Sequence, residues 1–311
     1  MKQNPYFTSV AAQRGLNGLI AITGGRGRLA HQTASFLRSL GYKVVLFSRT
    51  GGEGFQQLDD LCNPLVIELF DAIIHFAWST VPLTSETDPG REEREDLPLL
   101  KKLLESLIVS NNSPKFIFLS SASVYGNTGE ESVTEAASCH PLSGYARGKF
   151  QAEEIITQVL EQYPHLQTII LRVTNVIGFP SDPDRPQGIL PRIINSAQNQ
   201  QSLEIWGDGC CSKDYLWIDD FLTALQASLT IPLQGVFNLG SGENFSVLDL
   251  VSMVEKSLNI SVAVTHRSRY AWDVSRSFIN STAFSQATGW KPERNISKKI
   301  KDLCKDTLQP L

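Results

Sequence analysis

The stretch Leu19-Ile20-Ala21-Ile22-Thr23-Gly24-Gly25-Arg26-Gly27-Arg28-Leu29-Ala30 decides the fold. Its first five residues are a short apolar run, the pattern of a strand buried on both faces. Gly24 and Gly25 close the run with a sharp turn. From Leu29 to Leu40 the apolar residues return at helical period, and Gly41 stops them as a C-cap residue does. Strand, glycine turn and helix therefore follow one another. Gly25-x-Gly27-x-x-Ala30 fits the dinucleotide fingerprint, and Gly24-x-x-Gly27-x-x-Ala30 fits a related spacing. Glycine permits the tight turn and lets backbone approach a pyrophosphate, while the helix N-terminus offers free N–H donors and positive dipole. A glycine triplet alone also suits an ordinary turn; the flanking strand and helix give it weight. Thr23, Gly24, Gly25, Arg26, Gly27, Arg28 and Leu29 are the candidate contacts.

Outward from this unit the alternation repeats. Lys43–Phe47 and Ala72–Ala77 read as buried strands, Leu97–Val109 as a helix, Lys115–Leu119 as a strand, Tyr145–Leu160 as a helix and Thr168–Val173 as a strand. This spacing predicts βαβ units and an α/β fold with a mainly parallel, doubly wound sheet. Past Gly178 the texture changes. Residues 179–187 are rich in Pro and Asp and read as a loop, and glycine-punctuated short segments follow.

The net charge of −4, from 28 basic and 32 acidic residues, excludes a broad nucleic-acid surface, which needs a basic footprint. It leaves room for a local pocket for one small anion. Cys62, Cys139, Cys210, Cys211 and Cys304 are scattered and odd in number, so a reducing compartment fits better than a disulfide framework. The five histidines show no metal-ligand spacing, and no metal is expected. No apolar stretch is long enough to span a membrane, and Met1 to Asn17 lacks the apolar core of a signal peptide. The expectation is a soluble, cytoplasmic protein.

The fingerprint calls for an acid about 20 residues on, at the end of the second strand, to hold ribose hydroxyls. Ser48-Arg49 stand there instead. A hydroxyl and a guanidinium bind a 2′-phosphate that a carboxylate would repel, so the reading leans to NADP, with NAD kept open. A solvated surface arginine is the plain alternative for Arg49. Further on, Tyr145-x-x-x-Lys149 puts a phenol and an ammonium on one helical face. A nearby ammonium favours the phenolate and makes tyrosine a usable base. The pair follows a strand ending in Ser120-Ser121-Ala122-Ser123-Val124-Tyr125-Gly126, whose hydroxyls belong at the carboxyl edge where ligands bind.

With these motifs in place, the chain resembles the extended short-chain dehydrogenase/reductases of the nucleotide-sugar epimerase/dehydratase group. The resemblance runs from about Leu19 to the C-terminal end. It rests on the TGxxGxxA loop, Asp71–Ala77, Ser120–Gly126, Tyr145/Lys149, Leu171–Gly178, Gly207-Asp208-Gly209, Asp214–Asp220, Asn238–Gly242 and Gly289–Pro292. It implies a Rossmann-type NAD(P)-binding domain of residues 18–178 plus about 214–238. A smaller mixed α/β substrate-binding domain would take about 179–213 plus 239–311, with 1–17 as an N-terminal extension. It also implies that Tyr145 is the acid/base, that Lys149 lowers its pKa and holds the nicotinamide ribose, and that Ser121 hydrogen-bonds the reacting sugar oxygen. Phe76, Ala77 and Trp78 would face the cofactor, and Ser79, Ser123, Tyr125, Asn175, Lys213 and Arg269 the nucleotide sugar. A homodimer through the helices at Leu97–Val109 and Tyr145–Leu160 is expected on the same ground.

The departures from the family pattern are specific. The two positions that are acidic in dehydratases are Ala122 and Ser123, so water elimination lacks its acid and base. Lys213 replaces an arginine, losing bidentate geometry toward a diphosphate; Arg269 or Arg267 would supply the second contact. Asp96 stands for a usual asparagine. The interval from Arg49 to Asp71 compresses the third strand and its helix, leaving Asp60-Leu61 as the nearest candidate for an adenine contact. The function implied is a nucleotide-sugar C4 epimerase. The alternatives are an NADPH-dependent 4-keto-sugar reductase and a non-catalytic NADP-binding sensor.

Overall fold

The computed structural model describes residues 17–179 and 188–306. The N-terminal extension up to residue 16 and nearly all of the expected 179–187 loop lie outside them. The opening motif forms as read: β1 (Leu19–Thr23) is wholly buried, and α1 (Arg28–Ser39) follows the glycine turn. Then come β2 (Lys43–Ser48), β3 (Gln56–Gln57), the single turns α2 (Leu58–Leu61) and α3 (Pro64–Ile67), and β4 (Ala72–His75). Next are α4 (Pro82–Thr87), a π-helical turn (Glu92–Asp96) running into α5 (Leu97–Val109), β5 (Lys115–Ser121) and α6 (Gly144–Gln162). The rest of the chain gives β6 (Thr168–Val173), β7 (Asn175–Ile177), α7 (Ile189–Gln198), β8 (Leu203–Trp206), β9 (Ser212–Trp217), α8 (Ile218–Thr230), β10 (Gly235–Leu239), β11 (Asn244–Ser246), α9 (Val247–Leu258), β12 (Val264–Arg267), β13 (Arg276–Ser277), α10 (Thr282–Thr288) and α11 (Ile296–Asp306).

Seven strands make one sheet in the order β10-β6-β5-β4-β1-β2-β3. β1 lies parallel to both β2 and β4, and the pairs β2–β3 and β4–β5 are parallel as well. This is the Rossmann-type α/β sheet expected from the sequence. The chain winds outward from β1 to β3, then returns to β4 on the other side of β1. That reversal makes the carboxyl ends of β1 and β4 the topological switch point, where such sheets bind ligands. Leu100, Leu103, Leu104 and Leu107 of α5 share one core cluster with Phe116 and Phe118 of β5 and Ala152 and Ile156 of α6. The apolar stripes of both helices are therefore spent on the sheet.

The described residues group into two compact units: 17–124, 143–172 and 225–237 in the first; 125–142, 173–179, 188–224 and 238–306 in the second. The division departs from the boundaries drawn on the motifs, because 125–142, 173–178 and 214–224 join the second unit. Strand pairing explains part of this: β7 leaves the large sheet and pairs with β9, as β11 and β13 do. Within the second unit β12 also pairs with β8. Among the described residues no helix is long and apolar enough to cross a membrane, and none of the five cysteines is in a disulfide.

Candidate active site

In the first unit the glycine turn is shaped by backbone contact. Gly24 has φ +69°, and a Cβ there would stand 2.8 Å from the Ala77 amide nitrogen. Gly25 N–H donates to Phe47 O, and Gly27 N–H to Gly24 O. Gly27 stands at the N-cap of α1, where it has no side chain to cap the helix. Arg26 folds onto the β2–β3 connection, donating to Gly51 O at 2.7 Å with its guanidinium 4.6 Å from the centre of the Phe55 ring. Thr23 is committed to the scaffold: its hydroxyl pairs with His75 Nδ1 at 2.9 Å and accepts the Ala77 N–H.

Three buried polar atoms near the carboxyl ends of β2 and β4 lack a protein partner: Ser48 Oγ, His75 Nε2 and Trp78 Nε1. Such atoms are costly unless a ligand or water meets them. With the glycine cradle and the N-terminus of α1, they fit a dinucleotide. Arg49 is exposed and paired with Glu95 at 2.5 Å. Gln57, not Asp60, is the residue that pairs beside Ser48 across β2–β3. Leu61 has its side chain fully buried in the core. Phe76 is half-buried and Ala77 buried, directly after β4.

Ser121, Tyr145 and Lys149 all fall in this unit. Ser143 caps α6 by accepting the Ala146 N–H, which starts the helix just before Tyr145. Ser121 hydrogen-bonds the Tyr145 hydroxyl, and the Ser123 hydroxyl donates to Ser121 Oγ at 2.9 Å. Ser123 is thereby tied to Ser121. Burial pushes the Tyr145 hydroxyl up to about 12; the Ser121 bond opposes this, and Asp96 and Glu92 add to it. The lowering expected from Lys149 is not seen. Lys149 is itself buried, with Nζ donating to Leu119 O at 2.7 Å and lying 3.9 Å from the Trp78 ring centre. Desolvation brings it down to about 7, against the pull of Asp96 and Glu153. Ser79, expected at the sugar, donates both its N–H and its hydroxyl to Asp96.

In the second unit, Lys213 pairs with Asp273 at 2.7 Å, and Arg269 donates to the Asp273 carbonyl. The two expected cations thus converge on one residue that the sequence did not single out. Asn175 is exposed on β7 and donates to the Asp214 carbonyl on β9. Tyr125, expected at the sugar, is 3% exposed, and its hydroxyl donates to Asn238 Oδ1 at 2.7 Å. A partly exposed wall of stacked rings, Trp206, Tyr270 and Trp272, was also missed. Trp206 is far in sequence from Tyr270 and Trp272, and β8–β12 pairing sets Arg267, just before them, beside Trp206. Asp214 was likewise missed as a hub. Its carboxylate accepts from Ser241 N–H and hydroxyl, Gly242 N–H and Thr174 hydroxyl, and burial still raises it to about 6.

The model of the NAD dependent epimerase/dehydratase family matches residues 20–240, and the chain belongs to that family. It is 28% identical to the UDP-glucose 4-epimerase of Drosophila melanogaster over 339 residues, covering 93% of this chain and 95% of that one. The UDP-glucose 4-epimerase of Haemophilus influenzae is 26% identical, covering 91% of this chain and 95% of its own. Among solved structures, the UDP-glucose 4-epimerase of Thermotoga maritima with UDP-glucose gives a TM-score of 0.83 at 24% identity, covering 94% of this chain and all of that one. The Thermus thermophilus enzyme in complex with NAD gives 0.80 at 21%, over 94% and 100% of the two chains. These two likenesses bear on the fold.

Proposed function

We propose that the protein is a nucleotide-sugar C4 epimerase with NAD as cofactor. The observation that carries this reading is the hydrogen-bonded Ser121–Tyr145 pair with Lys149 one helical turn on, beside Ala122 and Ser123, which offer no carboxyl for elimination. Tyr145 takes the C4 hydroxyl proton and returns one to the keto oxygen, and Ser121 holds that oxygen. Lys149 supplies positive charge near the phenol and a donor for ribose hydroxyls. NAD, when bound, supplies the hydride acceptor and then the donor at C4. Gly24–Leu29, Ser48 and the segment after β4 would hold it, with Thr23 fixing that segment through the Ala77 N–H; the first unit is thus the cofactor unit. In the second unit, Lys213, Arg269 and Asn175 would hold the nucleotide diphosphate.

The names of the relatives support epimerisation of a UDP-sugar and the use of NAD. NADP stays as the second reading because of Ser48 and Arg49. An exposed pair such as Arg49–Glu95 is worth only about 0–1 kcal/mol, so a 2′-phosphate can draw the guanidinium away. A cytoplasmic homodimer through α5 and α6 belongs to the same proposal; these helices pack on each other, and Val109 at the end of α5 is 66% exposed.

The test is to incubate the protein with UDP-glucose and catalytic NAD and follow the sugar by NMR. The expected result is the C4 epimer with no net change in nicotinamide absorbance, and a loss of about 10²–10⁴-fold in Tyr145→Phe. Stoichiometric consumption of NADPH with a keto sugar would replace this reading with the reductase.

A further inference from the structure

We propose that Asp96 and Glu92 are positioning residues for the Tyr145–Lys149 pair, acting from the π-helical turn through the Trp78–Thr80 segment. The proposal rests on the catalytic reading of Tyr145 given above. It concerns two acids at places where the chain departs from an ordinary charged helix face.

The run Glu92-Glu93-Arg94-Glu95-Asp96 carries four acids in five residues, the composition of a solvated surface. Yet Glu92 is 1% exposed and Asp96 5%. Buried carboxylates persist only when hydrogen-bonded. Asp96 accepts the Ser79 N–H at 2.8 Å and the Ser79 hydroxyl at 2.7 Å; Glu92 accepts the Thr80 hydroxyl. The π turn thus bolts down the segment that follows β4. That segment carries Trp78, the ring on which the Lys149 ammonium rests.

The other side of the arrangement is Gly148, the residue before Lys149. A Cβ there would stand 2.7 Å from Glu92 Cβ and Cγ and 3.2 Å from the Trp78 ring. α6 can close on Glu92 and Trp78 only because this position has no side chain. Wide-ringed π turns are rare and concentrate at functional sites.

Electrostatics give the arrangement its consequence. Asp96 strengthens proton binding by both Lys149 and Tyr145, and Glu92 does so for Tyr145. The other charged or titratable groups around the pair are Glu153 on α6, ion-paired with Arg172 of β6, and His75 on β4, held neutral by burial. The two acids therefore hold the proton on the phenol, Asp96 also favours the charged form of Lys149, and together they make Tyr145 depend on the cofactor's positive ring to release its proton.

The experiment is an ultraviolet phenolate titration of the NAD-loaded protein, with Tyr145→Phe subtracted, beside the pH profile of kcat/KM. Asp96→Asn and Glu92→Gln keep shape and acceptor oxygens but remove charge. Each is expected to lower the Tyr145 midpoint by about half to one pH unit, with the acid limb of kcat/KM moving by the same amount. Asp96→Glu restores it toward the parent value. Thr80→Val strips Glu92 of its donor, releases the carboxylate from its place beside Tyr145 and shifts the midpoint the same way, so one variant that fails to fold leaves the others. Folded variants with an unchanged or higher midpoint would overturn the proposal. A shifted midpoint in a protein that epimerises nothing would sink the functional reading and leave this one standing.

Discussion

His75 shows how one side chain can serve the scaffold and report on it. It sits 1% exposed beside Phe116 and Phe118, with Thr23 on its Nδ1. Burial, helped by Lys149, brings its pKa down from 6.5 to about 3. An unfolded chain would take up the proton first, so the stability His75 contributes is fully present above pH 6.5. It is lost as pH falls toward 3, with a slope of about 1.4 kcal/mol per pH unit. Urea unfolding at stepped pH should show that slope flattened in His75→Phe relative to the parent. At this scale much was legible. Ser121, Tyr145 and Lys149 are fixed by a strand end and by i, i+4 spacing, which are local facts. The Tyr125–Asn238 bond was not, because the two residues lie far apart in sequence and no local pattern reports it.

Elements with a strong period were read nearly residue for residue: Leu97–Val109 and Thr168–Val173 stand as expected, and the helix at Tyr145 gains a turn fragment at each end. β3 was missed because Gln56 and Gln57 are two polar residues without alternation, and only the β2 edge makes them a strand. The π turn was missed because four acids in five residues carry no apolar period. α6 matters most, since it carries both Tyr145 and Lys149, and it is anchored by Glu153. Glu153 binds Arg172 of β6 with both oxygens and accepts the Ser120 hydroxyl from β5, all out of solvent. Arg172→Met leaves that carboxylate without its cation. The expected cost is about 3–5 kcal/mol in denaturant unfolding, well above that of a surface arginine exchange. A loss within about 0.5 kcal/mol would mean that the pair does not anchor the helix.

Across the whole molecule, the large sheet was legible because each βα unit announces itself locally, while the grouping of 125–142 with the second unit was not. That grouping depends on long-range ties such as Val133 with Ile279 and Asn127 with Ser275. The cofactor choice also belongs to this scale, because ligand binding stabilises the native state as a whole. NAD at about a hundredfold above its Kd should add about 2.7 kcal/mol. A thermal-shift comparison is expected to rank NAD above NADP at equal concentration; the reverse order would favour the Ser48-Arg49 reading. The central claim is that hydride leaves C4 and returns to the same carbon from the protein's own cofactor. The most direct measurement uses a UDP-sugar carrying deuterium at C4, analysed by NMR after turnover. The account requires the inverted product to retain deuterium at C4. Product with the label exchanged for solvent hydrogen, or label appearing in free nicotinamide without inverted sugar, would contradict it.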